Sequence, residues 1–238
     1  MAEPRELGEK LESLPPNVRP DGRMLFGRHV SLERLDPKRH GRQLFTAFSA
    51  DEEGAIWEYS TIGPFQSEAE LIERYGALCA RGNPLFYAIV PGDSRKAEGV
   101  AAFLNIAPGH GSIEIGYIVL GPALQNTTTA TEALFLMMRH AMDDLGNRRL
   151  EWKCNTLNKA SRTAAERLGF AYEGTFLQHM VVKGRSRDTA WYSLLDGEWP
   201  PMRAAFLEWL DEKNFNHDRS QKKRLSALTK KARRTMKR

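Results

Sequence analysis

Residues 116–132, GYIVLGPALQNTTTATE, constrain the fold more than any other stretch. An apolar, strand-like run ends there, and a threonine-rich turn feeds directly into an apolar-faced helix. A helix start leaves several backbone N–H groups unpaired and carries about half a positive charge, so it is a ready seat for phosphate. A cradle of that kind between strand and helix points to a nucleotide-like ligand.

The flanking segments set the order of elements. Residues 29–35 suit a short strand, and Asp36-Pro37 then supplies an N-cap with proline at the first helical position. Ser67 with Glu70 forms a capping box for a helix through about Cys79. Three strand-like runs follow at 85–90, 99–106 and 112–120, joined by PGDS and APGHG turns, which predicts adjacent antiparallel strands. Beyond Gln125 the period changes. Ala130, Leu134, Met137, Met138, Ala141 and Leu145 recur at helical spacing, with Gly146 as the stop. Residues 149–155 read as a strand, Asn158 as the cap of a short helix ending at Leu168-Gly169, and 170–176 and 179–195 as strand-like segments turned at KGRSRD. Strand, helix and strand make a crossover with a parallel pair. The expected fold is α/β, a mixed and mostly antiparallel sheet with a central β-α-β crossover flanked by helices.

The chain has 238 residues, enough for one full core with extensions. The reading divides it into a weakly ordered lead-in over 1–22, one domain over 23–200, a helix over 201–218 and a basic tail over 219–238. The net charge of +5 belongs to that tail. It holds ten Lys or Arg and no acid, leaving 25 basic residues against 30 acidic elsewhere, a net of −5. Such a tail could meet RNA, an anionic surface or an acidic partner, or simply be solvated. Cys79 and Cys154 form no CxxC pair, and no apolar run approaches the ~20 residues of a membrane span. A cytoplasmic protein with reduced thiols is expected. The six histidines show no metal-ligand spacing, so no metal is expected.

The pieces IEIGYIVL, ATEAL, NTLNKAS and AERLGFAYEG, in this order, resemble the GNAT superfamily of acyl-CoA-dependent N-acetyltransferases, and within it the Rim-type branch that acetylates N-terminal amines of ribosomal proteins. The resemblance implies that acetyl-CoA is the cosubstrate. Its pyrophosphate would lie on a cradle that usually reads Q/R-x-x-G-x-G/A and here reads Gln125, Asn126, Thr127, Thr128, Thr129 and Ala130, followed by Thr131. Thr128 stands where glycine allows close backbone approach, though threonine still offers its N–H if φ stays negative. The resemblance further implies backbone pairing of the pantetheine arm at Tyr117, Ile118 and Val119 on a strand that splays from its parallel partner. Asn158 and Ser161 match positions near the arm and the thioester sulfur, although both also suit a helix cap.

Acetyl transfer to an amine needs a neutral nucleophile, an aligned thioester, a donor for the developing oxyanion and a proton for the leaving thiolate. Glu114 is the candidate base, expected to share its strand face with Ser112, Gly116 and Ile118 while Ile113, Ile115 and Tyr117 point the other way. Its alternative role is a surface ion pair. The short helix lacks the tyrosine that many relatives use as acid, and Ser161 is the nearest substitute. Trp57 and Tyr59 are candidates for the acceptor slot or for packing, and His179 for the acceptor side or for an ordinary sheet hydrogen bond. Cys154 reads as core. The expected acceptor is a small primary amine or a protein N-terminus, with the protein a monomer or homodimer. The competing readings are a non-catalytic acyl-CoA-binding protein and a ribosome- or RNA-associated protein acting through its tail.

Overall fold

In a computed structural model, which describes residues 7–218 and 220–235, eight strands form a single sheet. They are β1 (Leu25–Phe26), β2 (Val30–Arg34), β3 (Leu85–Pro91), β4 (Gly99–Ala107), β5 (Ser112–Leu120), β6 (Arg149–Asn155), β7 (Ala171–Val182) and β8 (Arg185–Leu195), in the spatial order β1-β2-β3-β4-β5-β6-β8-β7. Only the β5–β6 pair is parallel. The helices are α1 (Pro37–Ser49), α2 (Glu68–Cys79), α3 (Thr128–Arg139), α4 (Lys159–Arg167), α5 (Trp199–Leu210) and α6 (Leu225–Thr235). The antiparallel meander, crossover, short helix and closing hairpin follow the expected order.

The caps explain where the helices start. Asp36 Oδ1 accepts from the N–H groups of Lys38 and Arg39, Ser67 Oγ from that of Glu70, and Thr127 Oγ1 from that of Ala130. The expected stop of α3 shifts. The helix ends at Arg139 and continues as a wider π turn over His140–Asp144 before Gly146 adopts φ +62°.

Two apolar layers sandwich the sheet. One joins α3, α5 and α6 to Ile113, Ile115, Leu150, Trp152 and Tyr192. The other joins α1 and α2 to Phe86, Ala88, Val100 and Ala102. Apolar burial on this scale, at about 25 cal/mol per Å² removed from water, is the main term holding the elements together.

The lead-in expected over 1–22 and the tail expected over 219–238 lie partly outside the described residues. Within the described lead-in, Pro15 and Pro16 lie against Gly111 and Gly146. The described tail is not a free basic stripe. Leu225 and Thr229 are buried, and Leu228 and Ala232 pack on the α3–α5 layer. Thr229 Oγ1 donates to the Arg167 carbonyl, and Arg233 pairs with Glu198 at 2.9 Å and donates to the Gly169 carbonyl. Leu225, Leu228 and Ala232 are therefore spent on the fold, leaving Lys222, Lys223, Lys230 and Lys231 outward. Among the described residues no helix is long and apolar enough to cross a membrane.

Candidate active site

The site begins where β5 and β6 part. They pair in register only from Ser112↔Arg149 to Glu114↔Glu151, although both strands run on. From Ile115 and Trp152 onward a gap opens between two strands whose backbones still carry donors and acceptors. On its other side β5 carries a bulge. Val119 pairs with Val100 and Gly116 with Ala102, so Tyr117 and Ile118 have no ladder partner on β4, and Tyr117 adopts φ +49°. The bulge corrects the expected faces. Alternation breaks at Tyr117, whose ring packs with the α1/α2 layer beside Phe86 at 5.2 Å, while Ile118 turns to the α3 layer. Tyr117 thus lies on Glu114's side of the sheet, and Ile118 on the other.

Below the gap, α3 begins. Gln125 Nε2 donates to the Leu120 carbonyl, and Asn126 takes the left-handed conformation at φ +59°, which asparagine tolerates. Thr128 and Thr129 do not adopt positive φ, so the absent glycine is not needed there. Thr127 caps Ala130, and Thr131 Oγ1 donates to the Thr127 carbonyl. The N–H groups of Thr128 and Thr129 have no intrahelical acceptor. No acid occupies the first turn, so an outside anion would meet no repulsion from the helix start. This geometry fits a pyrophosphate at Asn126–Thr129, with the Ala130 N–H already committed to the cap.

Asn158 Oδ1 accepts from the Ser161 N–H at 2.9 Å, so its carbonyl is spent as the α4 cap while its amide N–H groups stay outside it. Ser161 Oγ accepts from Trp152 Nε1 at 3.0 Å and lies beside Cys154. Burial pushes the Cys154 thiol up, against the hydrogen bond from Ser161, which suits a core thiol rather than a nucleophile.

Glu114 is not a surface residue. Its side chain is only 6% exposed and pairs with Lys153 Nζ at 2.9 Å, while Asn105 Nδ2 donates to it at 2.7 Å. Lys153 also bonds Glu151 at 2.8 Å and lies 3.9 Å from the centre of the Trp191 ring. Arg149 joins Glu151 to Glu173 through hydrogen bonds of 2.6–2.9 Å. Burial works to raise the Glu151 carboxyl, but Arg149 and Lys153 outweigh it and hold the group below its ordinary value.

His179 Nδ1 bonds Thr189 Oγ1 at 3.0 Å, and its ring lies 5.9 Å from that of Trp191, which places it at the outer end of this charged row. The Trp57 ring is 4% exposed and wedged between Phe48 and Phe65, each at 5.2 Å, so it packs in the α1/α2 layer instead of facing an open slot. Its carbonyl accepts from Lys183 Nζ at 2.9 Å, tying the β7–β8 hairpin to this loop. Tyr59 is exposed nearby.

Asn105, Lys153 and Trp191 are functional candidates that the sequence reading passed over. The alternating charges of Arg149, Glu151 and Lys153 were a visible signal. Their meaning needs the β5–β6 register.

A family model described as acetyltransferase (GNAT) domain matches residues 30–171. A GCN5-related N-acetyltransferase from Brucella melitensis superposes with TM-score 0.88 at 41% identity, covering 92% of this chain and 99% of that one. An uncharacterized N-acetyltransferase, YoaA, of Bacillus subtilis is 26% identical over 64% of this chain and 85% of its own length. The ribosomal protein uS5-alanine N-acetyltransferase of Escherichia coli is 27% identical over 52% of this chain and 63% of its own length.

Proposed function

The chain belongs to the GNAT family of acetyltransferases, and on that premise we propose that it carries an acetyl group from acetyl-CoA to a primary amine, a small molecule or a protein N-terminus, by direct attack in a ternary complex. It is an N-acetyltransferase with Rim-like relatives. The observation that carries the finer reading is the parting of β5 from β6 directly above an open helix start, with a buried carboxylate at the point of divergence.

The thioester supplies an activated acyl group, and the protein supplies position and charge. The free N–H groups of Thr128 and Thr129, with Asn126 and Thr127 beside them, hold the pyrophosphate. Unpaired backbone at Tyr117 and Ile118, followed by Val119, meets the pantetheine arm and offers an N–H to the developing oxyanion. Glu114 takes the proton of the acceptor amine, directly or through water. The Asn158 amide steadies the arm. Ser161, whose oxygen accepts from Trp152 and whose hydroxyl lies beside Cys154, turns its one proton from that sulfur toward the leaving thiolate. Tyr59 and His179 flank the acceptor entrance. Both cysteines are free thiols, in keeping with a reducing compartment such as the cytoplasm.

Calorimetric titration with acetyl-CoA tests the cradle, with micromolar binding expected. No binding at millimolar ligand would sink the reading, and binding without turnover across varied amines would favour a non-catalytic carrier. In the enzyme, Glu114→Gln should lower turnover about 100-fold while leaving acetyl-CoA affinity within about 3-fold. Unchanged turnover would remove Glu114 from the chemistry.

A further inference from the structure

Glu114 is held by one oxygen only. The amide of Asn105 and the ammonium of Lys153 both land on Oε2, at 2.7 and 2.9 Å. Oε1 has no hydrogen-bond partner among the described residues. It lies along β5 toward the bulge, since a Cβ built on Gly116 would stand 3.4 Å from it. Gly116, having no side chain, leaves room there for the Leu104 side chain, which lies nearest to that position.

Oε1 is not among the buried polar atoms left without a partner, so this oxygen is the one that solvent, or an acceptor amine, can reach. The clamp is itself well supported. Lys153 is fixed by a second carboxylate, Glu151, at 2.8 Å and by the face of Trp191 at 3.9 Å, and its side chain is 11% exposed. Asn105 reaches across because β4 carries its own bulge, where Asn105 adopts φ +47°, a conformation that asparagine takes more readily than most residues.

Resting on the reading of Glu114 as the base, we propose that Lys153 and Asn105 are its positioning residues. They anchor Oε2 and leave Oε1 as the atom that receives the amine proton. The acceptor nitrogen binds the acyl carbon, its N–H bond breaks with the proton passing to Oε1, and the C–S bond then breaks to release the coenzyme A thiolate. The groups facing Glu114 are Asn105 from β4, Lys153 and Glu151 from β6, and Arg187 from β8. Of these charged groups, Lys153 is the one bonded to it.

The test is the pH profile of kcat/KM with saturating acetyl-CoA. The base must be ionised and the amine neutral, so activity falls on the acidic side through both groups, and only the carboxylate's part of that limb differs between variants assayed with one amine. Removing the cation from Lys153 disfavours the ionised form and moves that limb to higher pH. Lys153→Met should shift it by about one pH unit and lower kcat about 10- to 100-fold at neutral pH, with acetyl-CoA affinity unchanged. Lys153→Arg should return the limb toward the wild-type position. A uniform loss at every pH with an unmoved limb would overturn the clamp. Where Lys153→Met does not fold, Asn105→Gly keeps the left-handed backbone and removes only the amide. It should move the limb in the same direction by less, and an unmoved limb with wild-type kcat would overturn the proposal. Glu114→Gln separates the two levels. If that variant keeps wild-type turnover, the base assignment itself fails. If it loses turnover while the limb stays fixed in Lys153→Met, only the clamp fails.

Discussion

The same face of one sheet has two characters. Across β3 and β4 it is apolar and sealed, with Phe86, Ala88, Val100 and Ala102 buried beneath α1 and α2. Beyond β5 the helices no longer cover it, and the same face on β6 and β8 carries Arg149, Glu151, Lys153, Trp191 and Ser193. The sealed half gains stability by excluding water. The open half must satisfy its polar groups by pairing, and it does so in one row from Glu114 through Lys153, Glu151 and Arg149 to Glu173. A buried ion pair contributes little net stability. The row is better understood as what makes a largely buried line of charges tolerable at the edge of a core.

If that division holds, stability should be concentrated under the helices. Phe48→Ala in α1 removes a buried ring packed edge-on to Trp57 at 5.2 Å, and should cost about 3–5 kcal/mol in denaturant unfolding. A cost below about 1 kcal/mol would mean that α1 covers the sheet without holding it. The opposite face gives the next largest effect. Leu225→Ala in α6 should cost about 2–4 kcal/mol, because Leu225 is part of the α3–α5 layer. An unchanged unfolding midpoint would return the C-terminal segment to the status of a solvated tail.

The open half should instead show itself through pH. The Glu151 carboxyl is held below its ordinary value, so its contribution to stability is present above the ordinary carboxylate range and lost as pH falls through the lowered folded-state value. Glu151→Gln should therefore be less stable than the parent near neutrality, with the gap narrowing toward about pH 3. A gap that stays constant across urea midpoints at both pH values would show that the row acts through shape, not charge.

The two halves also differed in how legible they were. Asp36-Pro37, Ser67 and the apolar periodicity of α3 are local signals, and the helices they announce are present. The open half is made by events between strands. The bulges at Tyr117 and Asn105 arise from a mismatch of β5 with β4 that neither strand encodes alone, and the one at Tyr117 overturned the face assignment made along β5 by counting alternate residues. Lys153 became meaningful only once the short parallel register set Glu151 beside Glu114. Trp57 showed the reverse case, an aromatic in a loop that the α1/α2 layer claimed for packing. The basic C-terminal segment hid its docking because charge counting outweighs two well-placed residues, Leu225 and Thr229.

The smallest expected effect falls on the helix start below the gap, where α3 contrasts with α2. Ser67 caps α2, and Glu68 and Glu70 in its first turn answer the helix dipole from within the chain. Thr127 caps α3, but no acid follows it, so the dipole is left for an outside anion. Thr128 is the residue that replaces the glycine of related cradles, and its φ is not positive, so its backbone N–H can be offered without glycine. Thr128→Gly should then keep acetyl-CoA affinity within about 3-fold of the parent, or improve it slightly by clearing the approach. The cost to helix stability should stay under about 1 kcal/mol, since the position lies at the first turn. A loss of 10-fold or more, read by calorimetry, would mean that the threonine hydroxyl is itself a ligand, and that this cradle binds with a side chain where its relatives use bare backbone.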